Sequence, residues 1–290
     1  MKNNVLIFVL LVAAALLSSC EKAVFDDVET ESSTENEVAN LTLRVTNIKQ
    51  IGYNSTRAVV DITGYSSRLN FVLYKDGERV QQIDQKQDDE GYGEVSLSLM
   101  PGTYKVLVLA HSSKGNPTLA DAESIRFGKD ISYSDTFYYY GDIEVGTEAK
   151  THDLLLVRVS SLLRFIINDA IPESVAKIRF FYTGGSCVLN AATGYGNSSD
   201  TPQEKLYNIE GLSAPLTLSL YTFLLADEGK LDVKVQAEDK NNNVVLERSF
   251  SNISVKRNMI TEYSGAFFEH DNGFSFTADT EWGGVIQETY

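Results

Sequence analysis

The chain has 290 residues, 43% of them hydrophobic, enough to bury the core of one large or two ordinary domains. Its formal charge is −15, with 40 acidic against 25 basic side chains. A surface of that sign repels phosphate backbones and anionic headgroups, which argues against a nucleic-acid partner and against a basic membrane-binding patch.

Lys2 begins the chain on a positive charge, and Val5 to Leu17 is an unbroken apolar run. As a helix that run reaches roughly 20 Å, short of the roughly 30 Å hydrocarbon core of a bilayer. An export signal spanning residues 1–19 fits better than a stable membrane span. Leu17-Ser18-Ser19-Cys20 then resembles the lipobox of bacterial lipoproteins, in which the cysteine is acylated and becomes the first residue of the mature protein. Two or more acyl chains hold a protein firmly to a bilayer, where one holds it only marginally. The expectation is lipid attachment at Cys20, with outer-membrane lipid as a partner; the competing reading is a plain signal peptide followed by an incidental cysteine. If Cys20 is acylated, Cys187 has no partner for a disulfide. Its strand-like setting, Ser186-Cys187-Val188-Leu189-Asn190, suits a small buried hydrophobe.

Residues 20–40 hold seven acidic side chains, one lysine and no hydrophobic period. They read as a lipidated acidic tether that lifts the folded part off the membrane. An acidic run behind a lipidated cysteine also resembles the surface-export signals of some Bacteroidota lipoproteins.

From Leu41 the period becomes two, with Leu41, Leu43 and Val45 on one face of a strand. Strands follow over 57–63 and 68–75. Asp76-Gly77 predicts a type I′ hairpin, because both turn positions need positive φ. Val95, Leu97 and Leu99 alternate up to Pro101-Gly102, and Tyr104, Val106 and Val108 alternate away from it, which predicts a second hairpin. Residues 112–134 read as a long loop, and strands over 137–145 and 153–157 close the first set. The second set comprises 162–167, 176–182, 216–224, 231–237, 244–250, 253–255 and 260–268, with a loop over 190–203 and a last extended piece from Phe274. No long stretch carries a helical period. The predicted fold is all-β: two consecutive β-sandwich domains of immunoglobulin or transthyretin-like kind, residues 41–157 and 158–290, behind the tether.

Chemistry is sparse. His111, His152 and His270 have no ligand spacing and read as surface or loop residues. Asp239 to Asn243 opens like a calcium loop, but Val244 and Phe250 stand where its glycine and bidentate glutamate belong, so a polar turn explains it better. Asp88-Asp89-Glu90 reads as a solvated loop. Phe137-Tyr138-Tyr139-Tyr140 would suit a sugar-stacking platform, except that alternation sends half of it into a core. No catalytic, cofactor or metal residue is assigned, and no enzymatic activity is expected.

Several phrases occur in a telling order: Leu69-Asn70-Phe71-Val72-Leu73-Tyr74, Met100 to Val106, Arg158-Val159-Ser160-Ser161-Leu162-Leu163-Arg164-Phe165, and Lys256 to Gly265, with a lone Trp282 near the end. Together with the lipobox and tether they resemble the fimbrillin-like superfamily of Bacteroidales type V pili, most closely its anchor-subunit branch. The resemblance implies a minor subunit that holds a fimbria to the outer membrane through its lipid and joins stalk subunits by strand exchange. In such exchange, backbone hydrogen bonds give affinity and alternate side chains give register. It also implies that Arg44 is either a stalk-type cleavage point or an outward residue between Leu43 and Val45. Phe274–Tyr290 is likewise either a docking segment or an ordinary last strand. The runner-up function is a surface-tethered carbohydrate- or protein-binding lipoprotein outside any polymer.

Overall fold

The computed structural model describes residues 39–49, 59–60, 62–128, 131–197 and 202–269, all within one compact unit. The expected signal, Cys20, the tether up to residue 38 and Phe274–Tyr290 lie outside the described residues, and the last residue of the expected tether, Asn40, is corrected: it is buried in the folded body. Among those described there is no α-helix, and the class is all-β.

The first nine strands are β1 (Leu41–Lys49), β2 (Val59–Val60), β3 (Arg68–Lys75), β4 (Glu78–Lys86), β5 (Glu94–Leu97), β6 (Gly102–His111), β7 (Ile125–Arg126), β8 (Thr136–Val145) and β9 (Lys150–Arg158). All but β7 form one sheet in the order β2-β1-β9-β8-β6-β3-β4, with β5 also on β1. Only Phe137↔Arg158 and Tyr138↔Val157 join β8 to β9. The sheet folds over at this narrow junction, so Leu41, Leu43, Val95 and Leu156 share a core with Phe71, Val106, Val108 and Ile143. The β3–β4 hairpin turns at Asp76 and Gly77, with φ of +53° and +85°.

The second expected hairpin is corrected. β5 pairs with β1, through Leu41↔Leu97 and Leu43↔Val95, whereas β6 pairs with β3 and β8. The Pro101-Gly102 corner therefore carries the chain across the core from one layer to the other. Alternation looks the same for an arch as for a hairpin, since both bury every second side chain.

The later strands are β10 (Ser161–Ile167), β11 (Lys177–Thr183), β12 (Val188–Asn190), β13 (Tyr195–Gly196), β14 (Gln203–Asn208), β15 (Leu216–Thr222), β16 (Glu228–Glu238), β17 (Val244–Lys256) and β18 (Ile260–Gly265). Sheet β15-β10-β18 faces sheet β14-β11-β16-β17 over a core that includes Phe165, Phe180, Tyr182, Leu218, Val233 and Ile253. β17 merges the two strands expected over 244–250 and 253–255. The chain continues through Asn252, at φ +59°, opposite a register shift between Leu231 and Val233.

Strands before and after the Arg158–Ser161 passage enter different large sheets, but a small fourth sheet, β13-β12-β7, crosses that line. Its strands lie at or inside stretches expected to be loops. β7 and β12 meet through Val188↔Arg126 and Leu189↔Ile125. At the passage itself, Arg158 is buried and bonds to Asp135 at 2.8 Å (Nη2 to Oδ2) and 2.9 Å (Nε to Oδ1). Ser160 donates to the same carboxylate at 2.8 Å, and Asn258 N donates to the Ser160 carbonyl at 3.3 Å.

Candidate functional site

Of the residues that sequence reasoning singles out for attachment and assembly, Arg44 and its strand are the ones the structure describes. β1 is the first strand among the described residues and is embedded on both sides. It runs parallel to β9 from Leu41↔Lys150 onward and antiparallel to β5. Leu41, Leu43, Val45 and Ile48 enter the core. Asn40 fastens its start: the side-chain amide donates to the carbonyls of Leu99 (2.8 Å) and Gly146 (2.7 Å), and its oxygen accepts from Leu99 N (2.9 Å). Inter-strand hydrogen bonds lie across the strand direction. A pull along β1 therefore loads two ladders in shear instead of peeling one bond at a time.

Arg44 points outward from this strand. Its Nε lies 2.8 Å from Asp153 Oδ1 on β9 and 3.9 Å from Glu94 Oε2 on β5. The hydrogen bond to Asp153, then its charge, pushes the guanidinium pKa up. The peptide bond after Arg44 leads into buried Val45, whose N–H donates to Gly93 O at 2.8 Å. A protease that needs an accessible extended segment meets a backbone already paired on both edges.

The aromatic run lies on β8 and splits by alternation. Phe137 and Tyr139 join the core between the folded layers, while Tyr138 and Tyr140 face the opposite side. That outer side is itself covered. Val72, Tyr74, Leu107 and Leu109 pack there against Leu119, Ile125, Phe127, Leu189 and Phe223, which come from the expected loop and from the second half of the chain. Continuous stacking along four rings is thereby excluded. Where the cover ends, at Asp121–Glu123, a cavity of about 370 Å³ stays open beside Tyr140.

The histidine expectation is corrected for His111, which is fully buried at the end of β6. Its Nδ1 accepts from Ser113 N–H at 3.2 Å, so Nε2 carries the proton and donates to Asn70 Oδ1 at 3.0 Å. Asn70 in turn donates to Asp84 at 2.7 Å. Burial, helped by the charge of Arg68, lowers the His111 pKa to about 4. The apolar run preceding it, Val106 to Ala110, is the sequence signal that it ends a doubly covered strand. His152 is half-buried on β9, and His270 lies outside the described residues. Among the described residues no group of three or more His, Cys, Asp or Glu gathers as a metal site.

Cys187 is buried, as its setting predicts, with Arg126 Nη1 3.6 Å from its sulfur. Asp239 closes a polar turn: Oδ1 accepts from the N–H groups of Asn241 and Asn243, both at 2.8 Å, and Asn242 takes φ +66°. The bonds from Asn243 hold its carboxyl below the usual range. Asp89 accepts from Lys86 N at 2.7 Å in an exposed turn.

The sequence model of a family described only as a family of unknown function, DUF6562, matches residues 33–290. Among curated proteins, none matches the chain. A candidate polysaccharide-binding protein (DUF1812) from Bacteroides thetaiotaomicron has a similar structure, with a TM-score of 0.51 at 12% identity over 86% of this chain and 99% of that one. A candidate adhesin from Bacteroides ovatus gives 0.47 at 12% over 86% and 95%. The tip fimbrial protein Mfa3 from Porphyromonas gingivalis, truncated at its C-terminus, gives 0.38 at 11% over 82% and 98%. The first of these likenesses shows a shared fold.

Proposed function

The chain belongs to the DUF6562 family, and from that premise we propose that it is a cell-surface lipoprotein serving as an anchor or minor subunit of a fimbria. Acyl chains on Cys20 hold it to the outer membrane, and the residues between Cys20 and Asn40 span the gap to the folded body. The observation that carries this reading is the setting of β1. The strand that receives the tether is bonded to β5 and β9 and plugged into the core by four apolar side chains, which suits a joint under tension. The ion pairs around Arg44 favour its retention as an outward residue over cleavage there.

Attachment of a stalk subunit is assigned to strand exchange, with Phe274–Tyr290 as the segment that docks a neighbour. Added strands gain affinity from backbone hydrogen bonds and register from alternating side chains. A second reading, a surface-tethered carbohydrate-binding module outside any polymer, is favoured by the cavity beside Tyr140 and by the description of the polysaccharide-binding protein that shares the fold.

Shearing and fractionation test the proposal. The wild-type protein is expected to stay with outer membranes after fimbriae are sheared off and to co-purify from detergent extracts with a stalk subunit. Cys20→Ala is expected to leave the membrane fraction. Recovery of the wild type free of every fimbrial protein defeats the anchor role, and membrane retention of the alanine variant defeats the lipid attachment.

A further inference from the structure

The cavity beside Tyr140 occupies the uncovered end of the outer face of β3, β6 and β8. Register places its floor: Lys105 pairs with Asp142 across β6 and β8, and Leu107 pairs with Tyr140. The β3–β4 turn makes one wall and the covering loop at Asp121–Glu123 the other. At about 370 Å³ it falls in the size range of small-ligand clefts.

Its charges are not equally engaged. Lys105 Nζ binds Asp142 Oδ1 at 2.8 Å and stands 5.7 Å from the Tyr140 ring centre. Lys75 Nζ stands 5.0 Å from the ring centre of Tyr104. By contrast, Asp76, Asp121 and Glu123 form no ion pair with any cation among the described residues. Asp121 Oδ1 accepts only a local bond, from Glu123 N at 2.8 Å. The lining thus offers spare carboxylate acceptors beside a half-buried phenol.

Three ligand chemistries compete for such a lining. An anion meets four carboxylates against two ammonium groups and is repelled. A cation is drawn by the carboxylates, but Lys105 already holds the place over the Tyr140 ring where it would stack. A neutral polyol donates hydroxyl protons to carboxylates, bonds roughly twice as strong as neutral ones, and carries no charge for the carboxylates or the ammonium groups to repel. We propose that this cavity is a binding subsite for a neutral saccharide, with Asp121 and Glu123 accepting from its hydroxyls and Tyr140 forming the apolar side. Burial raises the Tyr140 phenol above its ordinary value, so it stays protonated as a further donor at neutral pH. The subsite rests on the carbohydrate-binding reading given above and holds or falls separately from the fimbrial role.

Calorimetric titration of the full mature lipoprotein in detergent micelles tests this. The probes are a panel of neutral hexaoses (gluco-, manno-, galacto- and xylo-configured), hexagalacturonate and hexalysine. At least one neutral hexaose is expected to bind and hexagalacturonate to fail. The double variant Asp121→Asn/Glu123→Gln is expected to weaken binding about tenfold or more at unchanged melting temperature, since each bond lost is one to a charged acceptor. Tyr140→Phe, which keeps the ring, is expected to weaken it less. Absence of binding by every neutral hexaose, full affinity in the double variant, or binding of hexalysine alone overturns the proposal. None of these results depends on whether the chain co-purifies with a fimbria.

Discussion

The two halves of the molecule treat the outer faces of their sheets differently. In the second half, β11 alternates half-buried Lys177, Arg179 and Phe181 with fully buried Ile178, Phe180 and Tyr182, and β15 sets exposed Thr217 between buried Leu216 and Leu218. Its outer face carries ion pairs, Arg179 with Glu238 at 2.6 Å and Arg164 with Glu262 at 3.1 Å. In the first half, six consecutive residues of β3, Leu69 to Tyr74, and six of β6, Val106 to His111, are buried. One face fills the core between the folded layers, and the other lies under a loop and part of the second half. Strands covered on both sides read as continuous apolar runs, and strands with one wet face alternate. The comparison teaches that length of run reports the number of covered faces, a tertiary property written locally.

The comparison breaks most visibly at the seam. Arg158→Ala leaves the Asp135 carboxylate without its buried partner and is expected to cost about 3–5 kcal/mol. The check is a urea titration followed by fluorescence. Next comes Leu107→Ala, on the covered outer face, expected to cost about 2–5 kcal/mol because it opens a cavity where the halves meet. The same titration reads it.

The third effect is pH-dependent. His111 titrates near 6.5 when unfolded and at about 4 in the fold. Above pH 6.5 the histidine is neutral in both states. As pH falls from 6.5 to about 4 only the unfolded chain takes up the proton, so stability is lost across that window, by roughly 3 kcal/mol in all, and the loss levels off below it. His111→Gln is expected to flatten that part of the profile relative to wild type. The smallest effect sharpens the contrast: Thr217→Ala, outward on β15, is expected to stay within about 0.5 kcal/mol of wild type.

Much of the strand layout was legible. Asp76-Gly77 named its own turn, because few residue pairs tolerate two positive φ values in succession. Cys187 read correctly as buried from its apolar neighbours. The two-residue strands β7 and β13, and the three-residue β12, were not legible, since so few residues show no period. The burial of His111 was signalled only by the apolar run before it; what holds its polar side chain, Asn70 forty-one positions earlier, was not legible. The cavity beside Tyr140 was half visible: the tyrosines drew notice, but Asp121 and Glu123 looked like ordinary loop residues.

The amino-acid order alone determined the all-β class and the place of nearly every long strand, because a two-residue period is a property of neighbours in the chain. Tertiary structure decided which strands pair, that β5 joins β1 and not β6, which outer face is covered, and where that cover stops. Those outcomes rest on hydrogen bonds and packing between residues tens to more than a hundred positions apart, such as Leu41 with Lys150 and Ile125 with Leu189. No local pattern encodes a partner at that distance, because many partners satisfy the same alternation.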